Sequence, residues 1–308
     1  MSVALRVRAY AKINLTLRVL GVRPDGYHSL RTIFQSIALH DTLDIRVVRG
    51  PFSLTSNDPM CPTDRSNLVC EAADRVWRAA GRRGRPRDLA VHLFKRIPVQ
   101  AGLGGGSSDA AAALRAFASL WSVRLESLLE IARALGADVP FFLVGGTALG
   151  LERGDLLFPI AECPPSWVTL VIPTIGVSTA DAFRWFDDAT DRKTARRSRG
   201  VSVGAPGQPP GRSVGRWPWD AMPSAEFHND LQPTVERHRP EIRRLVTALR
   251  RRGAWHVAMS GSGSAVFALF EGKGAAEAAA RVLGHEPNRA IVTRTIPRRT
   301  ALASPRPR

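Results

Sequence analysis

One stretch limits what this chain can be more than any other: Pro98-Val99-Gln100-Ala101-Gly102-Leu103-Gly104-Gly105-Gly106-Ser107-Ser108-Asp109. It follows a strand-like run, Leu89 to Ile97, and leads into an alanine-rich helix predicted over Ala110 to Leu120. The glycines let the backbone take positive φ and approach a ligand with no Cβ in the way. The helix start behind them offers unpaired N–H groups and the positive end of its dipole. Together these make a phosphate site. A tight strand-to-helix turn with a serine cap uses the same residue types. Three consecutive glycines followed by two serines exceed what such a turn requires.

The chain has 308 residues, enough for two domains with an ample core. Its first residues alternate polar and apolar with no hydrophobic region of signal-peptide type, and a cytoplasmic protein is expected. The longest apolar run, Val139 to Leu151, is too short and glycine-rich to span a bilayer. Cys61, Cys70 and Cys163 fit neither a disulfide framework nor a zinc site, and no Cys or His cluster suggests another metal. The formal net charge is +17, yet the only lysines are Lys12, Lys95, Lys193 and Lys273. The arginine excess gathers in loops and at the C-terminus, without interleaved aromatics to stack bases. Such a surface favours anionic substrates over long range. Neither a nucleic-acid nor a membrane partner is expected.

Strands are predicted over Val3 to Val19 and Leu30 to Val48, and a helix over Asn67 to Arg78 capped by Asn67 or Ser66. Lys12 and Asn14, two apart on the first strand, share a face. Pro24-Asp25-Gly26 is a turn that presents Tyr27 and His28 side by side, a ring and an imidazole able to stack on and bond a planar base. A helix over Glu126 to Leu135 ends at Gly136, read as a C′ glycine, and is followed by Asp138, a lone carboxylate before an apolar run. The sequence places a domain boundary at Pro159 to Pro165. Beyond it lie a strand from Trp167 to Ile172 and a short helix, Ala180 to Phe186, whose inner face includes Phe183. Thr190 to Pro218 reads as a disordered or mobile insertion, and Arg298 to Arg308 as a disordered basic tail. Between them an α/β segment carries a second small-residue loop, Ser260 to Ser264.

Three motifs in this order resemble the GHMP kinase superfamily: Ala11-Lys12-Ile13-Asn14-Leu15, Pro98 to Ala112, and Met259-Ser260-Gly261-Ser262-Gly263. The likeness extends over roughly residues 5 to 185 and 225 to 295. It implies an α+β chain of two domains. Residues 1–160 would resemble ribosomal protein S5 domain 2, residues 161–297 would be ferredoxin-like, and 298–308 would form the tail. The implied activity is ATP-dependent phosphorylation of a small-molecule hydroxyl, with Mg²⁺ travelling with ATP. Pro98, Val99, Gln100, Ala101, Gly102, Leu103, Gly104, Gly105, Gly106, Ser107 and Ser108 match the ATP loop.

Asp138 matches the catalytic aspartate that takes or orients the hydroxyl proton, and Lys12 the active-site lysine whose cation favours loss of that proton. Asn14 would bond the substrate polyol, and Gly261, Ser262 and Gly263 would support the phosphate loop. Arg23 to His28, Gly136 to Pro140 and His228 to Leu231 bring the chain nearest to the members that phosphorylate the 2-hydroxyl of a cytidyl diphosphate methylerythritol, on the route to isoprenoid precursors. Tyr27 and Phe183 then match the two faces of a cytosine site, with His28 reading its edge. A kinase of homoserine, mevalonate or a sugar is the alternative within the family, and a basic nucleic-acid-binding protein is the alternative outside it. The chain is expected as a monomer or homodimer.

Overall fold

The chain begins as a long hairpin, β1 (Ala4–Val22) and β2 (His28–Pro51), paired antiparallel from Ala4↔Arg46 to Val22↔His28. The Pro24-Asp25-Gly26 turn closes it, with Gly26 at φ +81° and the Asp25 carboxylate accepting the Tyr27 N–H at 3.1 Å. The computed structural model describes residues 4–197, 227–285, 287–303 and 306–307. After the hairpin come β3 (Ser53–Ser56), α1 (Leu68–Ala79) and β4 (Arg87–Phe94). Of the two candidate caps, Asn67 rather than Ser66 caps α1, accepting the Val69 N–H at 2.9 Å. The glycine stretch leads into α2 (Gly105–Trp121), then α3 (Leu128–Leu135), α4 (Phe141–Val144), β5 (Thr147–Glu152) and β6 (Leu156–Pro159). The alanines of α2 are buried between α1 and β1, where small side chains permit close approach.

The second half contains β7 (Trp167–Ile172), α5 (Thr179–Arg197), α6 (Gln232–His238), α7 (Pro240–Arg250), β8 (His256–Met259), β9 (Val266–Phe270), α8 (Lys273–Leu283) and β10 (Arg289–Arg294). Its sheet is antiparallel in the order β10-β7-β9-β8, the strand order of a ferredoxin-like fold. Both faces of this sheet are covered, so β9 is buried at every position and reads as a continuous apolar run. Val266, Ala268 and Phe270 pack with the helices, while Phe267 and Leu269 pack against β1.

β1 therefore serves two cores. Val7 and Ala9 pack with α1 and α2, whereas Ala11, Ile13 and Leu15 pack on the second sheet. The hairpin register shifts between Tyr10 and Lys12, where the strand passes from one core to the other.

Four expectations are corrected. α2 starts at Gly105, not Ala110, so the last glycines and both serines form its first turn. Gly136 is extended at φ 164°, not a left-handed C′ residue. α5 is anchored on α6 by Trp185, stacked on His238 at 4.2 Å, and continues to Arg197, through the first part of the stretch read as an insertion; residues 198–218 lie outside the described residues. The tail is not disordered over its described part. α9 (Arg298–Ala301) docks as Arg298 donates to the carbonyls of Val144 and Thr147, and β11 (Arg306–Pro307) pairs with β1. No described helix is long and apolar enough to cross a membrane.

His256 ties the two halves together. Its Nε2–H donates to the Leu15 carbonyl of β1 at 2.9 Å, and its ring lies among Phe227 and Phe267. Burial pushes its imidazole down to about 4. Between that value and the ordinary one near 6.5, the unfolded chain binds a proton that the folded protein excludes. The resulting stabilisation is complete above about pH 6.5 and is lost as the pH falls towards 4, on the order of 3 kcal/mol in all. Urea unfolding at pH 7 and pH 4.5 measures this, and His256→Gln is expected to remove most of that decline.

Candidate active site

The glycine loop takes its shape from backbone contacts that side chains would block. Gln100, Gly102 and Gly104 have φ of +54°, +74° and +72°. A Cβ on Gly102 would lie 2.1 Å from the Ser260 carbonyl oxygen, and one on Gly104 would lie 2.7 Å from the Phe142 ring. Hydrogen bonds fix the loop on both sides. Leu103 O accepts the Lys12 N–H at 3.0 Å, Ala101 O accepts the Ala265 N–H at 3.2 Å, and Gly102 O accepts the Ser260 hydroxyl at 2.9 Å.

Gln100, Gly102, Gly104 and Ser107 line a cleft of about 1100 Å³. Pro98, Val99, Gly105 and Gly106 line an adjoining pocket of about 350 Å³, with Cys61, Asn67 and Lys95. Ala101 and Leu103 bury their side chains and contribute backbone. Ser108 turns away from the cleft and donates to the Tyr10 carbonyl at 2.6 Å.

Lys12 and Asn14 do share a face, and both are buried. Lys12 Nζ lies 2.7 Å from Asn14 Oδ1 and 3.3 Å from Asp138 Oδ2, above the Phe34 ring. Asn14 passes the contact on, since its Nδ2 donates to Thr32 Oγ1 at 2.8 Å and Thr32 donates to the Thr16 carbonyl at 2.7 Å. Asn14 thus orients Lys12, a task beyond the polyol contact expected of it. Asp138, between α3 and α4, has 37% of its side chain exposed and opens on the cleft. Gly261 comes from the other half of the chain, and a Cβ there would lie 3.4 Å from both Lys12 Nζ and Asn14 Oδ1.

At the far end of the cleft stand Tyr27, His28 and Phe183. Phe183 and Tyr27 both line the cleft. Phe183 stacks on His28, ring centroids 4.5 Å apart at 22°, while the Arg153 guanidinium lies 5.4 Å from the Tyr27 ring. Asp187, one helical turn beyond Phe183, is 2.8 Å from His28 Nε2.

The second small-residue loop is held from several sides. Asn229 Nδ2 donates to the carbonyls of Met259 and Gly261 at 2.9 and 2.7 Å, Gln232 Oε1 accepts the Met259 N–H, and the Ser262 hydroxyl meets Thr179 at 3.0 Å. Gly263 also lines the cleft.

Sequence reasoning missed Thr32, Arg153, Asp187 and one buried cluster. Lys95 Nζ bonds both Asp41 and Asp109, the latter at 2.7 Å. It lies against the start of α2, where a Cβ on Gly105 would be 3.3 Å away. Burial pushes the Asp109 carboxyl well above the usual range. Burial opposes the charge on Lys95, but its two carboxylates outweigh that and hold its ammonium above the ordinary value. The one available signal was a lysine beside the loop in a chain almost devoid of lysine. Among the described residues, no group of three or more His, Cys, Asp or Glu could hold a metal ion.

Comparison with known proteins gives the chain its family. Residues 67–146 match the GHMP kinases N terminal domain, and residues 220–289 match GHMP kinases C terminal. The 4-diphosphocytidyl-2-C-methyl-D-erythritol kinase of Solibacter usitatus is 42% identical over 91% of this chain and 85% of its own. The protein of that name from Pelotomaculum thermopropionicum is 40% identical over 93% of this chain and 96% of its own. A crystal structure of 4-(cytidine 5'-diphospho)-2C-methyl-D-erythritol kinase superposes with a TM-score of 0.73 at 34% identity, covering 94% of this chain and 98% of that one.

The Gly102 contact makes a sharp expectation. Gly102→Ala must displace the loop or the Ser260 carbonyl, and should cost about 2 kcal/mol or more. Gly106→Ala meets nothing within 4 Å. Thermal denaturation should show a clear fall in Tm for the first variant and a Tm near wild type for the second.

Proposed function

The chain belongs to the 4-diphosphocytidyl-2-C-methyl-D-erythritol kinases of the GHMP kinase family, and from that membership we propose that it transfers the terminal phosphoryl group of ATP to the 2-hydroxyl of 4-diphosphocytidyl-2-C-methyl-D-erythritol. The observation that carries the reading is the position of the Lys12–Asp138 pair. It stands in one cleft between a glycine loop suited to phosphates and a ring-lined end suited to a base.

In this reading the ATP phosphates lie along Gly102 to Ser107, where the first N–H groups of α2 and its dipole face them. The purine end would take the adjoining pocket of Asn67 and Lys95. An O–P bond forms at the acceptor hydroxyl, the bond between the γ-phosphorus and the β,γ-bridging oxygen breaks, and ADP leaves. Asp138, paired yet open to the cleft, would accept or orient the hydroxyl proton. Lys12, fixed by Asn14, would stabilise the negative charge developing on the oxygen and the transferring group. Tyr27, His28 and Phe183 would receive the cytosine, and Gly261 to Gly263 would close the phosphate side.

Mg²⁺ would supply charge neutralisation on the phosphates. Asp138 and the Ser107 hydroxyl, which line the same cleft as the glycine loop, would hold it, because Mg²⁺ bound with a nucleotide keeps most of its ligands as phosphate oxygens and water.

The deciding experiment offers ATP with the cytidyl substrate, homoserine or mevalonate, and follows products by mass spectrometry. A singly phosphorylated cytidyl product is expected; phosphorylation of homoserine or mevalonate in its place would overturn the reading. Asp138→Asn should lower kcat by roughly 10²–10⁴ while ATP binding persists. Near-normal turnover in a folded variant removes Asp138 from the chemistry. Tyr27→Ala should raise KM for the cytidyl substrate about tenfold with little change in kcat.

A further inference from the structure

His28 is gripped from two directions by one helix. Phe183 and Asp187 are four residues apart on α5, so they project from the same face. Phe183 covers the imidazole plane at 4.5 Å, and an Asp187 carboxylate oxygen stands 2.8 Å from Nε2. The contact joins the first hairpin to a helix 159 residues away in sequence. The neighbouring cation, Arg184, is engaged with Asp181 rather than Asp187.

A carboxylate accepts hydrogen bonds and does not donate them, so the nitrogen facing Asp187 carries the proton. In the neutral ring that leaves Nδ1 as an acceptor. The His28 side chain is only 12% exposed, and what remains open lies on the cleft.

We propose that Asp187 is a positioning residue for base selection: it holds His28 as the Nε2–H tautomer, and Nδ1 then accepts from the amino group at position 4 of cytosine. This rests on the kinase reading above. Uracil carries a carbonyl at position 4, which sets a lone pair against a lone pair at Nδ1. The site therefore favours a cytidine diphosphate substrate over its uridine counterpart through an unmatched acceptor as well as a lost bond. Asp187 touches neither base directly; it decides what His28 can read.

Two measurements test this. Steady-state kinetics compare cytidyl and uridyl forms of the substrate with wild type, Asp187→Ala and Asp187→Glu. The alanine variant should raise KM for the cytidyl form about tenfold, leave its kcat within about twofold, and leave KM for the uridyl form the same or lower, so the preference narrows at least about tenfold. The glutamate variant should recover part of it. Asp187 is 43% exposed on a helix surface, so these variants are expected to fold. Equal losses on both substrates, or no loss on either, overturn the proposal. Wild type turning over neither substrate overturns the kinase reading instead.

¹⁵N NMR of His28 in the wild-type protein at neutral pH, assigned by the resonances lost in His28→Gln, reads the tautomer without turnover. Nε2–H is expected, and an Nδ1–H ring or an imidazolium overturns the proposal even where activity is as expected.

Discussion

The seam between the two glycine-containing loops is what the rest of the site depends on. Ala101, Gly102 and Leu103 give their carbonyls to Ala265, Ser260 and Lys12 in turn, so three successive residues are bonded to the β8–β9 connection on one side and to β1 on the other. That arrangement puts the Ser260 carbonyl oxygen 2.1 Å from where a Gly102 Cβ would stand, an approach only glycine permits. Once the seam is closed, Gly261 is pressed against Lys12 and Asn14, and the cleft acquires its second wall. The glycine loop is thus also the joint between the halves of the chain.

Two lysines sit in this region, and they solve the problem of buried charge differently. Lys95 is paired with two carboxylates below the start of α2. Its ammonium offsets anionic charge that would otherwise stand uncompensated beneath the glycine loop. Lys12 is held by one neutral amide and one half-open carboxylate, which leaves its cation directed at whatever enters the cleft. A fully paired ion supports structure, and a partly satisfied one remains available to a reacting group.

What could be read from the sequence was whatever short-range rules control. Glycines at positive φ, two polar residues on one strand face, the Pro-Asp-Gly turn and the Asn67 cap all follow from local chemistry, and the family motifs linked them. Thr32, Asp187 and the Asp41–Lys95–Asp109 cluster were not legible, because each depends on pairing register or on helices brought together by tertiary packing. Glycine and serine also disguised the first turn of α2: their low helix propensity suggests a loop, yet packing against β1 and the Ser108 hydroxyl bond to Tyr10 hold the turn helical. The polar, arginine-rich residues that continue α5 misled in the same way, because composition alone does not show that a helix anchored on α6 by Trp185 extends into them.

The groups that would do chemistry and the groups that would choose the substrate come from different parts of the chain. Lys12, Asn14 and Asp138 belong to the first half, on elements packed around α2 and β1. The ring-lined end is formed where α5 of the second half reaches back to the hairpin turn, with Phe183 and Asp187 clasping His28. The hairpin is joined to the second sheet a few residues away through Leu15 and Leu17, which bond His256 and the His228–Asp230 segment. Selectivity can therefore change by altering α5 and its contacts with the turn while the phosphate loop and its lysine stay as they are.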